Sequence, residues 1–321
     1  MIPLIINNQF AENHYNSIKN ALISQINRIL NDGGINKRPR GQANYKITYS
    51  NTLQTLLQEF ANDPDTYLKP LIVKSPDDIN TYVSDLNHSN SDYINSNHDD
   101  NMILYNLFVN SIYDNTDIFN KWNFINKINL STCPYCNRNY IYTTTKSKTI
   151  KPEIDHFYPK HKYPILAISY FNLIPSCSPC NGISAKHQKD PFHIGLVNPY
   201  LLKNNDFVFT HKIKNIAILN PLSEKSDVEI QFKKAYQGHL DLFNLKQLYE
   251  LHHDHALELI IKKRLKYSKK YRDYLNSYNG LKFSQTDIDH MILGNYALQE
   301  EQHKRPLAKL YQDIGKELGL I

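Results

Sequence analysis

The sequence predicts an α+β fold, in which a mainly helical chain surrounds a small central core held together by a metal ion. Apolar residues recur every three to four positions in the N-terminal third and again towards the C-terminus, the spacing of helices that bury one face. Segments within residues 206–232 instead alternate or are β-rich. All four cysteines lie between these parts, as two Cys-x-x-Cys pairs. We therefore expect a helical N-terminal region (1–115), a metal-stapled core (116–200) and an α-rich C-terminal region with a small β element (201–321).

Helices in the N-terminal region follow from this periodicity and from local start and stop signals. They are predicted over residues 11–30, 52–62, 77–86, 102–113 and 117–126. The first ends at Gly33-Gly34, and the third starts at Ser75-Pro76, because a proline fits the first turn of a helix. Residues 87–101 are a polar run with almost nothing to bury, so we expect a flexible loop or linker there.

The C-terminal region combines strands with helices. Strands are predicted over residues 206–213, 216–219 and 228–232, as a small antiparallel sheet or hairpins. One long helix is predicted over residues 248–278. The Ser284-x-x-Asp287 signature starts another helix, and a last one is predicted over residues 306–318.

Charge and hydropathy narrow the class of protein. The formal net charge is +6, from 37 Lys and Arg against 31 Asp and Glu, which is compatible with a phosphate-rich partner but does not establish one. No apolar run approaches the roughly 20 residues of a membrane span. The first residues, MIPLIINNQF, lack the basic leader and cleavage site of a secretory signal. We expect a cytoplasmic protein, where paired cysteines more often bind metal than form disulfides.

The two cysteine pairs, Cys133-Pro134-Tyr135-Cys136 and Cys177-Ser178-Pro179-Cys180, have the spacing with which a short turn brings two sulfurs to one tetrahedral zinc ion. About forty residues separate the pairs, so the intervening chain must form a folded insertion. Four thiolates would close the site, and such Zn²⁺ is structural. Free buried cysteines and a redox pair are the alternatives, but two matched pairs with a proline in each favour zinc.

An acid–histidine pair lies between the cysteine pairs. Residues 151–159 predict a strand, on which the adjacent Asp155 and His156 point to opposite faces, so that one binds a metal while the other faces a water or a substrate. Asn172 precedes the second cysteine pair, and Asn181 directly follows it, where we expect a helix to begin. Taken singly, each of these side chains is equally consistent with a turn, a cap or a core position. Their order between two cysteine pairs favours a functional site.

This order of residues resembles the HNH endonucleases of the ββα-metal superfamily. Their motif places an acid–His pair on a strand, an Asn in the following loop, and a His or Asn at the head of a helix, often with cysteine pairs holding the elements together. The resemblance covers residues 133–186, about a sixth of the chain, and implies a zinc-stabilised, treble-clef-like ββα core. Asn181 stands where the family name has His, and family members with Asn there remain active.

The resemblance implies a role for each matching residue. His156 would be the general base that takes a proton from water, since an unperturbed pKa of about 6.5 suits that task. Asp155 and Asn181 would offer oxygen ligands to one Mg²⁺ or Mn²⁺ ion, which polarises the scissile phosphate. Asn172 would pin the loop that orients the imidazole. Lys186, which follows Asn181 on the presumed helix, is a secondary candidate that would contact the scissile phosphate.

Other residues near the motif are candidates for backbone or metal contacts. Arg138, Lys160 and His161 flank it and would bind the nucleic-acid backbone, although solvated surface positions explain them equally well. Glu153 is two residues before Asp155 on the same strand face, so it would support the metal or face solvent.

Lys262, Lys263 and Arg264 open the densest positive run of the chain, which also contains two tyrosines. Pairing with phosphates would make this run a salt-sensitive nucleic-acid-binding surface; a solvated helix face is the alternative. His252 and His255 are three residues apart on the same predicted helix. That spacing permits a metal, although surface or capping histidines are the commoner outcome.

Together these features predict a Mg²⁺-dependent endonuclease that hydrolyses phosphodiester bonds, with DNA as the favoured substrate. The layout of residues 153–160 and 172–177 most resembles the HNH subunits of bacterial anti-phage systems, Septu and the related retron systems, in which such a subunit works beside an ATPase. The chain has no Gly-rich phosphate loop, so nucleotide-driven control would come from an ATPase partner. The alternatives are a non-catalytic, zinc-stabilised module that binds nucleic acid or protein, and a restriction-type nuclease with its own sequence readout.

Overall fold

A computed structural model describes residues 1–37, 43–144, 151–215, 227–265, 271, 273–274, 277 and 283–321, with side chains left out at 262–265. This part of the chain is mainly helical and contains three two-stranded antiparallel sheets. Its strands are β1 Ile35–Lys37, β2 Tyr45–Ile47, β3 Glu153–His156, β4 Leu173–Ser176, β5 Val208–Ile213 and β6 Val228–Lys234. None of its helices combines the length and the apolar character needed to cross a membrane.

The N-terminal region is mainly helical, as its periodicity predicts, and also contains the short β1–β2 hairpin. Its α-helices are α1 Asn8–Asp32, α2 Asn51–Asn62, α3 Lys69–Ile72, α4 Pro76–His88 and α5 Asp99–Leu104, and α6 Lys121–Ile128 follows at the start of the core. The side chain of Asn7 caps α1 by accepting from the Phe10 N–H at 3.1 Å, and Gly33 ends it in the left-handed region with φ 65°. At Gly34, φ is 135° and a Cβ would lie 2.0 Å from the Ile47 carbonyl oxygen, so only glycine fits beside β2.

The prediction of a flexible loop over residues 87–101 is wrong. Helix α4 continues to His88, a 3₁₀ turn spans Asp92–Ile94, and α5 begins at Asp99. Asp100 is 1% exposed and accepts from the N–H of Ser50 at 2.9 Å and from its hydroxyl at 2.5 Å. Short polar side chains order this segment through caps and long-range hydrogen bonds, which a hydropathy argument does not count.

Residues 102–113, predicted as one α-helix, change type midway. Helix α5 runs into a π-helix over Tyr105–Tyr113, and the next helix, predicted from residue 117, begins at Lys121 after its cap Asn120. Insertions of π-helix are rare and frequently occur beside functional sites.

The central sheet is shorter than predicted. Strand β3 pairs antiparallel with β4, with Asp155 opposite Ile174 and His156 opposite Leu173. A one-turn helix, α7 Ser178–Asn181, follows β4. Asn181 is therefore the last residue of this helix and not its first, because Pro179 fits the first turn and Gly182 follows the last.

In the C-terminal region β5 and β6 form the predicted antiparallel hairpin, while the predicted strand at 216–219 lies outside the described residues. Helix α8 Pro191–Ile194 lies before this region, and the α-helices in its described residues are α9 Gln237–Leu242, α10 Leu245–Glu250, α11 His253–Leu265, α12 Gln285–Leu293 and α13 Ala308–Glu317. The single helix predicted over 248–278 is wrong at its start, because the chain leaves helical geometry between α10 and α11. The capping box of Ser284 and Asp287 at α12 is confirmed.

Buried contacts cross both predicted region boundaries. His14 of α1 donates from Nε2 to the Ile168 carbonyl at 2.9 Å. Asn137, beside the first cysteine pair, accepts from the Lys309 N–H at 3.1 Å and donates to the Gln302 carbonyl at 3.0 Å. The division at residues 115 and 200 stays a prediction, but the core is tied to helical layers on both sides.

Candidate functional site

The four cysteines form one buried cluster. Their sulfur atoms all lie within 4.8 Å of one another, and Cys136 Sγ and Cys177 Sγ are 3.9 Å apart. Tetrahedral zinc with Zn–S bonds of about 2.3 Å needs sulfurs about 3.8 Å apart. The donor set and its spacing therefore fit a zinc ion, as the Cys-x-x-Cys pairs predict.

Two N–H groups support these sulfurs. The Arg138 N–H donates to Cys136 Sγ at 3.4 Å, and Asn139 Nδ2 donates to Cys177 Sγ at 3.3 Å. Hydrogen bonds with the neighbouring thiols, Cys133 first, and with the Arg138 N–H lower the pKa of Cys136. A thiolate is the form that binds metal, so the surroundings of Cys136 favour ligation, whereas burial raises the pKa of the Cys133 thiol.

Tyr135 connects the cysteine cluster to the acid–histidine strand. It lies between Cys133 and Cys136, is 1% exposed, and donates from its hydroxyl to Asp155 Oδ2 at 2.6 Å. Its ring stacks on Phe243 at 4.8 Å between centroids. The turn that carries the first cysteine pair thus holds one oxygen of Asp155 through the Tyr135 hydroxyl.

A cavity of about 230 Å³ opens beside β3. Three of the residues predicted for catalysis or metal binding line it together: Asp155, His156 and Asn181. Its other walls come from Tyr105, Tyr113, Ile154, Pro159, Lys160, His161, His187 and Gln188. Although Asp155 and His156 are neighbours on a strand, both border this cavity, because the strand ends at His156.

The imidazole of His156 is fixed in one orientation. Its Nε2 lies 3.0 Å from the Ala167 carbonyl oxygen, which only accepts, so Nε2 carries the proton and Nδ1 keeps its lone pair. Burial, with the nearby Lys160 ammonium as the next cause, lowers the pKa of His156 to about 3. The ring also packs edge-on against Tyr113, 4.4 Å between centroids. The His156 imidazole is therefore neutral and oriented, with Nδ1 unprotonated.

Asn172 holds the loop that carries this arrangement. It is fully buried, accepts from the Tyr158 N–H at 2.7 Å, and donates to the carbonyls of Tyr158 and Leu166 at 3.1 and 3.0 Å. Leu166 precedes Ala167, whose carbonyl orients His156. Asn172 does not line the cavity, and its hydrogen bonds are those of a residue that positions the loop.

Asp155 and Lys186 form a buried pair. Lys186 is fully buried, and its Nζ lies 3.9 Å from Asp155 Oδ1 and donates to the Lys189 and His156 carbonyls at 2.9 and 3.4 Å. Burial raises the pKa of Asp155, and the Lys186 ammonium acts in the opposite direction. Lys186 does not line the cavity. The Lys186 ammonium therefore offsets the negative charge of Asp155 from a buried position outside the cavity lining.

Asn181 and Glu153 meet at the cavity rim. Asn181 Nδ2 donates to Glu153 Oε2 at 2.8 Å, and because a carboxylate only accepts, the amide oxygen of Asn181 is the atom left for another ligand. Glu153 thus sets the orientation of Asn181 and does not itself line the cavity.

Two lysines stand at the rim beside His156. Lys121 and Lys160 lie 4.0 and 4.7 Å from the centroid of the Tyr113 ring and share Asp114, at 3.5 and 3.3 Å. Lys160 was predicted from the sequence, whereas Lys121 was missed because it belongs to α6, outside the motif. Two ammonium groups facing one carboxylate leave a net positive charge at this part of the rim, beside Tyr113.

The other residues predicted to bind the nucleic-acid backbone differ in their position relative to the cavity. His161 lines the cavity. Arg138 does not, since its Nε donates to His252 Nε2 at 2.9 Å. Lys262, Lys263 and Arg264 belong to α11, but their side chains lie outside the described residues.

His252, Asp254 and His255 place three ligand atoms within 4.8 Å. The Arg138 contact occupies one histidine nitrogen, and His255 Nδ1 lies 2.6 Å from the Tyr311 hydroxyl. These bonds favour a structural role for this group over a metal site.

A local similarity connects the chain to a curated protein. A stretch of 66 residues is 39% identical to the Septu protein PtuB of Bacillus thuringiensis, and it covers 17% of this chain and 25% of that protein. The chain thus spans about a quarter of the length of this relative. The match suggests a link to Septu systems. No family model matches the chain, and no solved structure matches it significantly.

Proposed function

We propose that this protein is a divalent-metal-dependent HNH endonuclease that hydrolyses phosphodiester bonds, with DNA as the favoured substrate. The observation that carries the proposal is the convergence of Asp155, His156 and Asn181 on one cavity, next to a four-cysteine cluster. These residues occur in the order that the HNH resemblance implies. Asp155 and His156 lie on a strand as expected, whereas Asn181 ends a one-turn helix and does not begin it.

In this proposal His156 is the general base. Its Nδ1 accepts a proton from a water molecule in the cavity, while Nε2 stays bonded to the Ala167 carbonyl and keeps the ring aligned. A neighbouring phosphodiester would raise the low pKa of this buried imidazole, because a negative charge stabilises the imidazolium that forms. Asn172 keeps the carbonyl in place by pinning Leu166.

Asp155 and Asn181 would hold the catalytic cation, as Mg²⁺ or Mn²⁺. Carboxylate and amide oxygens are the donors that these hard ions prefer. Such a cation, when bound, polarises the scissile phosphate and offsets the charge on the leaving oxygen. Tyr135 and Lys186 hold Asp155 from two sides, and Glu153 turns the oxygen of Asn181 away from itself.

Lys121 and Lys160 would bind the nucleic-acid backbone at the rim. Their ammonium groups lie over the Tyr113 ring, and this ring contacts the His156 imidazole. A phosphate bound between the two lysines would therefore lie beside the general base.

The setting we propose is an anti-phage system in which this chain is the nuclease subunit and an ATPase is its partner. The partial match to a Septu protein and the resemblance of residues 153–160 and 172–177 to HNH subunits of such systems support it. Co-purification of the chain from its own host with a nucleotide-hydrolysing protein tests this part separately from cleavage.

The decisive test of the chemistry is cleavage of plasmid, single-stranded DNA and RNA with Mg²⁺ or Mn²⁺ by the wild type and by His156→Ala. His193→Ala is the matched control, since the His193 side chain is 62% exposed and lies outside the cavity. We expect cleavage by the wild type and the control and none above background by His156→Ala. Cleavage that persists in His156→Ala, or tight nucleic-acid binding without any cleavage, would favour the non-catalytic module.

A further inference from the structure

A second and larger cavity, of about 400 Å³, lies where the N-terminal segment meets residues 128–130 and 299–303. It shares no lining residue with the cavity beside β3. Apolar and aromatic side chains make up much of its wall, among them Leu4, Ile5, Phe10, Leu130, Tyr170 and Tyr200. Its volume falls within the roughly 300–1,000 Å³ typical of small-molecule sites.

The wall of this cavity gathers polar groups that lack partners. Within the described residues, seven buried side-chain nitrogen or oxygen atoms have no hydrogen-bond partner. Four of them belong to residues that line this cavity: Tyr200 Oη, Asn204 Oδ1, Gln302 Oε1 and His303 Nδ1. Buried polar groups are nearly always paired, so this concentration at one place indicates a site that something else completes.

The free atom of Gln302 is an acceptor. Gln312 donates from Nε2 to the carbonyls of Tyr296 and Leu298, both at 2.8 Å, which fixes its own Oε1 as the acceptor from Gln302 Nε2 at 2.8 Å. The remaining amide atom of Gln302 is therefore its oxygen. Gln302 is 3% exposed and Tyr200 is 5% exposed, and their unpaired atoms are buried, so a ligand that pairs with them requires a local movement of these side chains towards the cavity.

The charge of the lining selects against anions. Glu300 carries a negative charge, and the described lining contains no lysine and no arginine. Burial lowers the pKa of His303, which keeps its ring neutral. A phosphate or carboxylate would find no counter-charge here, whereas an N–H group would find an amide oxygen and a carboxylate.

We propose that this cavity binds a small aromatic ligand that carries N–H donors and no negative charge. The aromatic body packs between Phe10, Tyr170 and Leu130, and the N–H groups pair with Gln302 Oε1 and Glu300. This binding site is separate from the cleavage chemistry and does not depend on it.

The test uses the full chain and two probes that share one ring system. Tryptamine has an indole N–H and an ammonium group, and indole-3-acetate has the same ring with a carboxylate. Saturation-transfer NMR and calorimetry measure binding of each to the wild type, to Ile5→Arg and to Leu251→Arg. Ile5 is 82% exposed at the cavity, and Leu251, 71% exposed, is the control away from it.

We expect tryptamine to bind more tightly than indole-3-acetate. Ile5→Arg should weaken tryptamine binding by about fivefold, because a like charge at the mouth repels the ammonium across partly screened solvent. Leu251→Arg should leave the affinity unchanged. Equal binding of both probes, binding that Ile5→Arg leaves unchanged, or no binding to the wild type would each overturn the proposal and leave ordered water as the occupant.

Discussion

The hydroxyl of Tyr135 donates a 2.6 Å hydrogen bond to Oδ2 of Asp155, and this single contact joins the cysteine cluster to the proposed catalytic carboxylate. Tyr135 is one of the two residues between Cys133 and Cys136, so any ion that organises this turn also positions the tyrosine. The cluster therefore acts on the site through a defined hydrogen bond as well as through general stability of the fold.

Tyr135→Phe should keep the fold and impair the site. The ring remains stacked on Phe243, but Asp155 Oδ2 loses its buried partner, which should cost about 1–3 kcal/mol in the free energy of unfolding. We expect the divalent-metal concentration for half-maximal cleavage to rise, because the carboxylate is no longer held in place. Urea unfolding and a metal titration of the cleavage rate measure the two effects.

Tyr49→Phe is the matched control for this variant. The Tyr49 hydroxyl donates to the Leu30 carbonyl at 3.2 Å, far from the site in the helical region. It should change unfolding without changing the metal titration. A Tyr135→Phe variant whose metal titration matches that of wild type would show that Asp155 does not depend on this hydrogen bond.

Lys186→Met should destabilise the protein through Asp155. Both side chains are at most 2% exposed, so removal of the ammonium leaves the carboxylate buried without its cation, and such losses cost about 3–5 kcal/mol. Adding Asp155→Asn removes the uncompensated charge. We expect the double variant to be more stable than Lys186→Met alone in chemical denaturation. If the second substitution gave no recovery, the two groups would not be coupled, and the buried lysine would serve only its carbonyl partners.

Short-range sequence patterns predicted some features of the structure and not others. The four-cysteine cluster and helix α1 follow from spacing alone, because Cys-x-x-Cys pairs and an apolar residue every three to four positions are short-range signals. The convergence of Asp155, His156 and Asn181 followed only from the resemblance. Residues 87–101 were misread because their order depends on long-range bonds such as Asp100 to Ser50.

Two other features of the site had no local signal at all. Lys121 reaches the cavity rim from a different element, and its approach to Tyr113 depends on how α6 packs. Lys186 was expected to contact the phosphate, but the fold buries it beside Asp155. The sequence did not predict this, because the direction of a side chain that follows a motif has no local sequence signal.

Loss of the zinc ion expected at the four-cysteine cluster should destabilise the protein. We expect about one zinc per chain by elemental analysis, and its loss from Cys177→Ser, since four thiolates form a closed tetrahedral site. Thermal unfolding should move to lower temperature in Cys177→Ser and in wild type treated with a strong chelator. Restoring zinc should rescue the chelated wild type and not the variant. A full zinc content in Cys177→Ser would contradict the four-cysteine site.

The two rim lysines should control substrate affinity and its salt dependence. Lys121→Gln and Lys160→Gln each remove one ammonium beside Tyr113, so each should weaken nucleic-acid binding and lower the slope of log affinity against log salt by about one. Lys74→Gln is the control, because Lys74 makes a comparable contact, 5.3 Å from the centroid of the Tyr82 ring, outside the site. Fluorescence anisotropy with catalytically inactive His156→Ala as the background separates binding from cleavage. If both rim variants kept the wild-type slope while Lys74→Gln changed it, the backbone would bind on another surface of the protein.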